Sequence, residues 1–175
     1  MLRCLFIICL LSFSQLTLAL SYTVKITEKE LQSKLNARLP IEKKNSYITA
    51  KIYGSTVDLI EGTDQIGVFS NIELTVLGSI KGSGRSYVKG NISYDANAGA
   101  FYVQNPIIVT LEVDDIPAEL VPEIHKIAQL SLQKAAQHYP IYKLKTDDLQ
   151  HKMAKAVLES VQVKEQTLLL KLSAL

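Results

Sequence analysis

Apolar and polar residues alternate most persistently between Ile66 and Ile80. Ile66, Val68, Ile72, Leu74, Val76 and Ile80 share one phase, while Glu73, Thr75, Ser79 and Lys81 take the other. A period of two sends alternate side chains to opposite faces of a strand, so the run predicts a half-buried strand with one wet face. Fifteen residues at roughly 3.3 Å each span about 50 Å, far beyond the usual strand of about five or six residues. A strand of that length has to bend, bulge or wrap around something apolar.

Shorter patterns precede it. Tyr22–Ile26 reads as a strand that leads directly into a helix. Thr27 and Glu30 have the T-x-x-E spacing of a capping box, and Ile26 and Leu31 stand at the positions of a hydrophobic staple. Leu31 and Leu35 give that helix an apolar stripe, and Pro40 stops it. Ile48, Ala50 and Ile52 then alternate with Tyr47, Thr49, Lys51 and Tyr53, and Gly54 marks a bend before Val57 and Leu59. Glu61–Asp64 makes a turn before the long run, and Gly82-Ser83-Gly84 reads as the turn after it.

Further along, Val88, Ile92 and Tyr94 carry a strand to Asp95, and the loop Asp95–Gly99 closes a hairpin onto Ala100–Val113. Ile107, Val109, Leu111 and Val113 form a second apolar row there. Pro106 lacks a donor, which marks an interruption or an edge. Asp114, Asp115 and Pro117 signal a longer helix, with Pro122 as an alternative start one turn later. Its stripe is Leu120, Ile124, Ile127, Ala128, Leu132 and Ala135, and Pro140 ends it. Ile141–Leu144 suits a short strand. Thr146, Asp147 and Asp148 cap a third helix with Leu149, Met153, Ala156 and Val157 on one side. Val161 and Val163, a Lys164–Gln166 turn, then Leu168, Leu170 and Leu172 form a closing hairpin. No linker or repeat interrupts the series, which is that of one α+β domain.

Composition changes the picture chiefly at the N-terminus. Arg3, the apolar run Cys4–Leu11 and the small-residue exit at Ala19 and Ser21 have the form of a secretory signal peptide over residues 1–21. Cleavage is expected after Ser21, with Ala19 as the alternative. Ser12, Ser14, Gln15 and Thr17 break the run short of the ~20 apolar residues that span a bilayer, so no membrane span is expected after cleavage. Residues 22–175 then form the domain, in the periplasm or outside the cell. Both cysteines, Cys4 and Cys9, leave with the leader, and with them any disulfide or thiol chemistry. Basic and acidic residues nearly balance, 19 against 17, with no basic cluster and no Trp, so nucleic acid is not an expected partner.

Candidate chemistry is sparse. His125, His138 and His151 are isolated, with no H-E-x-x-H spacing, so no metal site is expected. Asp114–Asp115 and Asp147–Asp148 sit where helix caps belong. No serine lies in G-x-S-x-G, and Gly78, Gly82 and Gly84 precede no G-K-S/T and no helix. Asn91-Ile92-Ser93 is a glycosylation sequon inside a predicted strand. No catalytic residue and no cofactor is assigned. What the chain does have is a surplus of apolar surface, in the long run, the Ile107–Val113 row, the Leu120–Leu132 stripe and the last hairpin. That surplus makes either an ordinary filled core or an apolar slot suited to a lipid tail.

Several segments in order resemble the YceB-like family of bacterial envelope proteins, a domain of unknown function (DUF1439). They are Tyr22-Thr23, Ile26-Thr27-Glu28-x-Glu30-Leu31, Asp95-x-x-x-Gly99-Ala100-Phe101-Tyr102-Val103, Pro140-x-Tyr142-x-Leu144, Met153-Ala154-Lys155 and Val161-x-Val163-Lys164. The resemblance implies a fold similar to the tubular lipid-binding (TULIP, BPI-like) proteins, in which a curved antiparallel sheet wraps a long helix around an apolar channel. The expected fold is therefore α+β, a long curved antiparallel β-sheet wrapped around a long helix, with a short N-terminal helix and a C-terminal helix plus hairpin. Family members are often lipid-anchored. Here Cys9 follows Ile8 and Cys4 follows Arg3, which is no lipobox, so a soluble periplasmic or secreted protein is expected.

The expected function is non-catalytic binding of a lipid, acyl chain or other apolar ligand. The expected lining is Ile72, Leu74, Val76, Ile107, Val109, Leu111, Leu120, Ile124 and Ile127. The rival is an envelope protein-interaction or assembly module with a filled core. A cystatin-like inhibitor fits less well, because Gln65-Ile66-Gly67 does not make the Q-x-V-x-G loop, and a hydrolase stands third.

Overall fold

The structure, a computed structural model, describes residues 21–144 and 156–174. The leader, His151 and the proposed third helix up to residue 155 lie outside the described residues. Ala156 and Val157, assigned to that helix from sequence, instead open a strand.

The centre is a hairpin of β4 (Gln65–Val76) and β5 (Ile80–Asp95), paired without a register break from Gln65↔Asn91 to Val76↔Ile80. The long alternating run is therefore two strands. Leu77 and Gly78 turn the chain with φ of 52° and 75°. The loop between Val76 and Ile80 holds an odd number of residues, so the returning strand keeps its phase and the alternation passes through the turn unmarked. Gly82-Ser83-Gly84, read from sequence as the turn, is inside β5. A Cβ on Gly84 would stand 1.9 Å from the Glu112 carbonyl oxygen, and one on Gly82 would meet the Asp114 oxygen and the Ile116 side chain. These glycines let the following strand and its exit fold closely over β5.

β3 (Ile48–Leu59) flanks β4, and β2 (Ile41–Lys44), a strand with no sequence forecast, flanks β3. β6 (Ala100–Asp114) flanks β5, and β7 (Tyr142–Lys143) pairs with Ala100 and Phe101. The resulting antiparallel sheet, β2-β3-β4-β5-β6-β7, is curled into a half-barrel. Bulges produce the curl. In β3 the pairing changes from Tyr53↔Asn71 to Thr56↔Phe69, an extra residue at Gly54 (φ 56°), so inward positions switch from Ile48 and Ile52 to Val57 and Leu59. In β6 the pairing changes at Val109 and again at Asn105–Pro106 opposite Gly90. Inward positions are thus Phe101 and Val103, then Pro106, then Leu111 and Val113. The single row expected over Ile107–Val113 is broken: Ile107 and Val109 are each 48% exposed.

A second sheet, β1-β9-β8, is built from β1 (Ser21–Thr27), β8 (Ala156–Lys164) and β9 (Thr167–Ala174). Helix α1 (Glu28–Asn36) follows β1 with the forecast cap: Thr27 Oγ1 accepts from Glu30 N at 3.2 Å, and Ile26 and Leu31 are both buried in one cluster. Helix α2 (Val121–His138) follows a 3₁₀ turn at Ala118–Leu120. Asp114 and Asp115 do not cap it. Asp114 ends β6, Asp115 takes φ 61° in the connection, and no side chain caps either helical start.

Two apolar clusters divide the interior. The lower one gathers β1, α1, β9 and the ends of the large sheet around Phe101, Ile26, Leu168, Leu170, Leu172 and Val163, all fully buried. The upper one sets Ile124 of α2 against Ile48, Ile72, Leu74 and Val76. Between them Ser55 Oγ and Ser70 Oγ share a hydrogen bond at 2.8 Å. At the same level of the sheet the outer strands bulge while β4 and β5 run straight through.

Candidate functional site

Both long edges of the large sheet are held by a glutamine. Below Gly54, β3 has no strand neighbour on its outer side. Gln32 of α1 substitutes for one, its Nε2 donating to Ser55 O and its Oε1 accepting from Val57 N, each at 2.8 Å. Glu28 Oε2 accepts from Leu59 N at 3.1 Å. On the opposite edge Gln129 of α2 donates to Pro106 O at 2.7 Å and accepts from Ile108 N at 2.9 Å. A primary amide presents a donor and an acceptor side by side, as a strand's peptide group does, so each helix closes an edge that would otherwise offer itself to another chain.

Apart from that clamp, α2 is lightly attached: Ile124 is its one buried residue. Where its first turns cross the end of the sheet, a slot of about 200 Å³ remains. Ile48, Val76, Leu120, Ile124 and Ile127 form its walls, with Tyr47, Leu77 and Glu123 at the rim. Of the lining expected from sequence, Val76, Leu120, Ile124 and Ile127 meet here, and Ile72, Leu74 and Leu111 pack in the cluster beneath them. Ile107 and Val109 stand apart on the outer side of β6. Tyr47 and Leu77 had no forecast. They follow from the loop after β2 and from the true position of the β4–β5 turn.

The slot is small beside the roughly 300–1,000 Å³ of most small-molecule sites. It is apolar and half-open, and the Ser55–Ser70 bridge separates its compartment from the lower cluster. A wider cleft of about 460 Å³ lies at the start of α1, between Glu28, Lys29, Gln32 and the β8–β9 turn. Its lining residues all carry polar side chains, of which Glu28 and Gln32 are engaged with the backbone of β3.

Titratable chemistry is elsewhere. His125 and His138 are exposed on α2, and His138 Nδ1 lies 2.7 Å from Lys134 O. Among the described residues no set of His, Cys, Asp or Glu converges on a metal position, and no helix is long and apolar enough to cross a membrane. On the convex face Tyr87 donates to Asp58 Oδ2 at 2.8 Å and stacks on Phe69 at 4.2 Å. Burial first, then the Asp58 hydrogen bond and charge, push its pKa up to about 12.

The family model for proteins of unknown function DUF1439 matches residues 26–167. The chain belongs to the DUF1439 family. No curated protein matches it. The matched span runs from the end of β1 to the start of β9, so it takes in the whole curled sheet, both helices and the slot.

Proposed function

We propose that this DUF1439 protein is a non-catalytic binder of an apolar chain end, carried by the slot between α2 and the tip of the sheet, in the periplasm or outside the cell. The observation that carries the reading is the slot's wall, five aliphatic side chains open to solvent with no polar group placed deep among them. Such a wall selects for hydrocarbon and orients nothing for chemistry. The YceB-like and TULIP-like resemblance of the sequence supports the same class of ligand.

Magnitude limits the ligand. Burying about five methylenes contributes on the order of 4 kcal/mol, a millimolar affinity by itself. The slot therefore suits one end of a longer lipid that is delivered at high local concentration, rather than a scarce free molecule.

The test is native mass spectrometry of the protein purified from its own host, with organic extraction, followed by titration with a fluorescent fatty acid. A co-purifying lipid and saturable uptake are expected. Ile127→Trp, which fills the slot from its half-buried wall, should weaken uptake at least tenfold while thermal unfolding stays close to wild type. Lipid-free protein that takes up no fatty acid sinks the reading.

A further inference from the structure

The mouth of the slot carries two exposed apolar side chains on a braced tip. Tyr47 is 64% exposed and Leu77 59%. Asn45 Oδ1 accepts from the backbone N–H of Tyr47 and of Ile48, at 2.8 and 2.7 Å, which fixes the first turn. Leu77 N donates to Tyr47 O at 2.8 Å, which ties the second turn to the first. Of the non-glycine residues with positive φ among the described residues, Leu77 alone is apolar. A left-handed turn favours Asn, Asp or Gly, so a leucine there, facing water, costs conformational and solvation energy.

The outermost row of the convex face is basic, and the row behind it mixes Lys51 with Glu42, Glu73 and Asp114. Lys44, Thr49, Thr75 and Lys81 lie in one row across β2, β3, β4 and β5, directly below the two turns. Thr75 has the opposite phase to buried Leu74 and Val76, so the row lies on the convex face, and both lysines are exposed. Neither forms an ion pair among the described residues. Across the slot, the helix side carries Glu119 and Glu123.

We infer that this tip docks on an anionic lipid bilayer. Tyr47 and Leu77 enter the interface, Lys44 and Lys81 lie against anionic headgroups, and the slot opens toward the acyl chains. An aromatic and an aliphatic residue on two adjoining turns, flanked by lysines, is the combination that interfacial binding uses. Glu119 and Glu123 set the tilt, because repulsion keeps the helix side turned away from the surface. The inference rests on the slot reading for its purpose, but its own measurement is separate.

The test is co-sedimentation of the protein, as its host produces it, with phosphatidylethanolamine–phosphatidylglycerol vesicles and with pure phosphatidylcholine vesicles. Binding to the first, weakened by salt, and little binding to the second are expected. Tyr47→Ser with Leu77→Asn should reduce binding at least tenfold, and asparagine suits the left-handed turn, so folding is spared. Lys44→Gln and Lys81→Gln should each cost about fivefold and leave fatty-acid uptake in solution unchanged. Glu123→Gln should strengthen vesicle binding. Wild-type protein that ignores anionic vesicles, or binds them equally after the tip changes, overturns the inference. So does a Leu77-dependent dimer in sedimentation velocity without vesicle binding. Tip-dependent vesicle binding without fatty-acid uptake upholds the docking face and removes the slot reading; uptake without vesicle binding does the reverse.

Discussion

Tyr87 shows how one outward side chain organises the convex face. Its ring lies over Gly67, where any Cβ would meet the phenol within 3 Å, and its hydroxyl reaches from β5 across β4 to Asp58 on β3. With the folded pKa at about 12 against an ordinary value of 10.0, the native state holds this proton more tightly than the unfolded chain. Its stabilising contribution is full below about pH 10 and is lost as pH rises through about 12. Urea unfolding followed at rising alkaline pH should show that decline, and Tyr87→Phe should remove much of it. Some slope persists, because burial and then the charge of Asp95 raise Tyr94 as well. A decline of equal steepness in the Phe variant would assign the effect elsewhere. None of this was legible in the sequence, since Tyr87 and Asp58 carry no motif and meet only through a diagonal across β4.

At the scale of elements, the parts written in local chemistry were legible. The Thr27 cap, the Gly54 bend, the Asp95–Gly99 loop and the Pro106 interruption all depend on residues within a few positions of one another, and each stands where its pattern indicated. Parity hid the rest. A loop that preserves phase between Val76 and Ile80 leaves the period of two intact, so one strand and a hairpin read alike. The bulge at Val109 did the opposite, shifting phase inside what looked like one row and turning Ile107 outward. Of the candidate lining, the part that survives around the slot comes from strands or helix segments free of such shifts.

The same scale holds the glutamine clamps, invisible in sequence because each joins a helix to a strand far along the chain. Gln129→Ala removes both partners of a part-buried carbonyl and amide and should cost about 1–3 kcal/mol in urea unfolding, with Gln32→Ala similar. The two should add, as they sit on opposite edges. Gln129→Ala should also promote self-association by freeing the β6 edge, detectable by light scattering. A variant of unchanged stability would mean that water replaces the amide without loss.

For the whole molecule, the Ser55–Ser70 bridge and the bulges beside it separate a tightly sealed lower compartment from a looser upper one. The lower holds every fully buried large side chain among the described residues, whereas α2 contributes one buried residue, Ile124, and the half-buried Ile127 to the upper. Hydrogen exchange should follow that division. Amides of Leu168–Leu172 should be the slowest, and those of α2 beyond Gln129 among the fastest of any regular element. Uniform protection across both would contradict a lightly held helix. That looseness fits the proposed uptake of a chain end, for which the curled antiparallel sheet supplies the wall opposite.

The pairing of β1 with β9, from Ser21↔Ser173 to Thr27↔Thr167, has a consequence in time. The strands from β3 to β6 can each pair with the neighbour just made, but the lower compartment cannot close until β9 has been delivered. Its closing loop is nearly the whole chain, which makes it the slow, late event of folding. Until then Ile26 and Leu31 have no roof. A nascent chain of this protein keeps its lower compartment open until β9 arrives, and β9 decides when that compartment becomes globular.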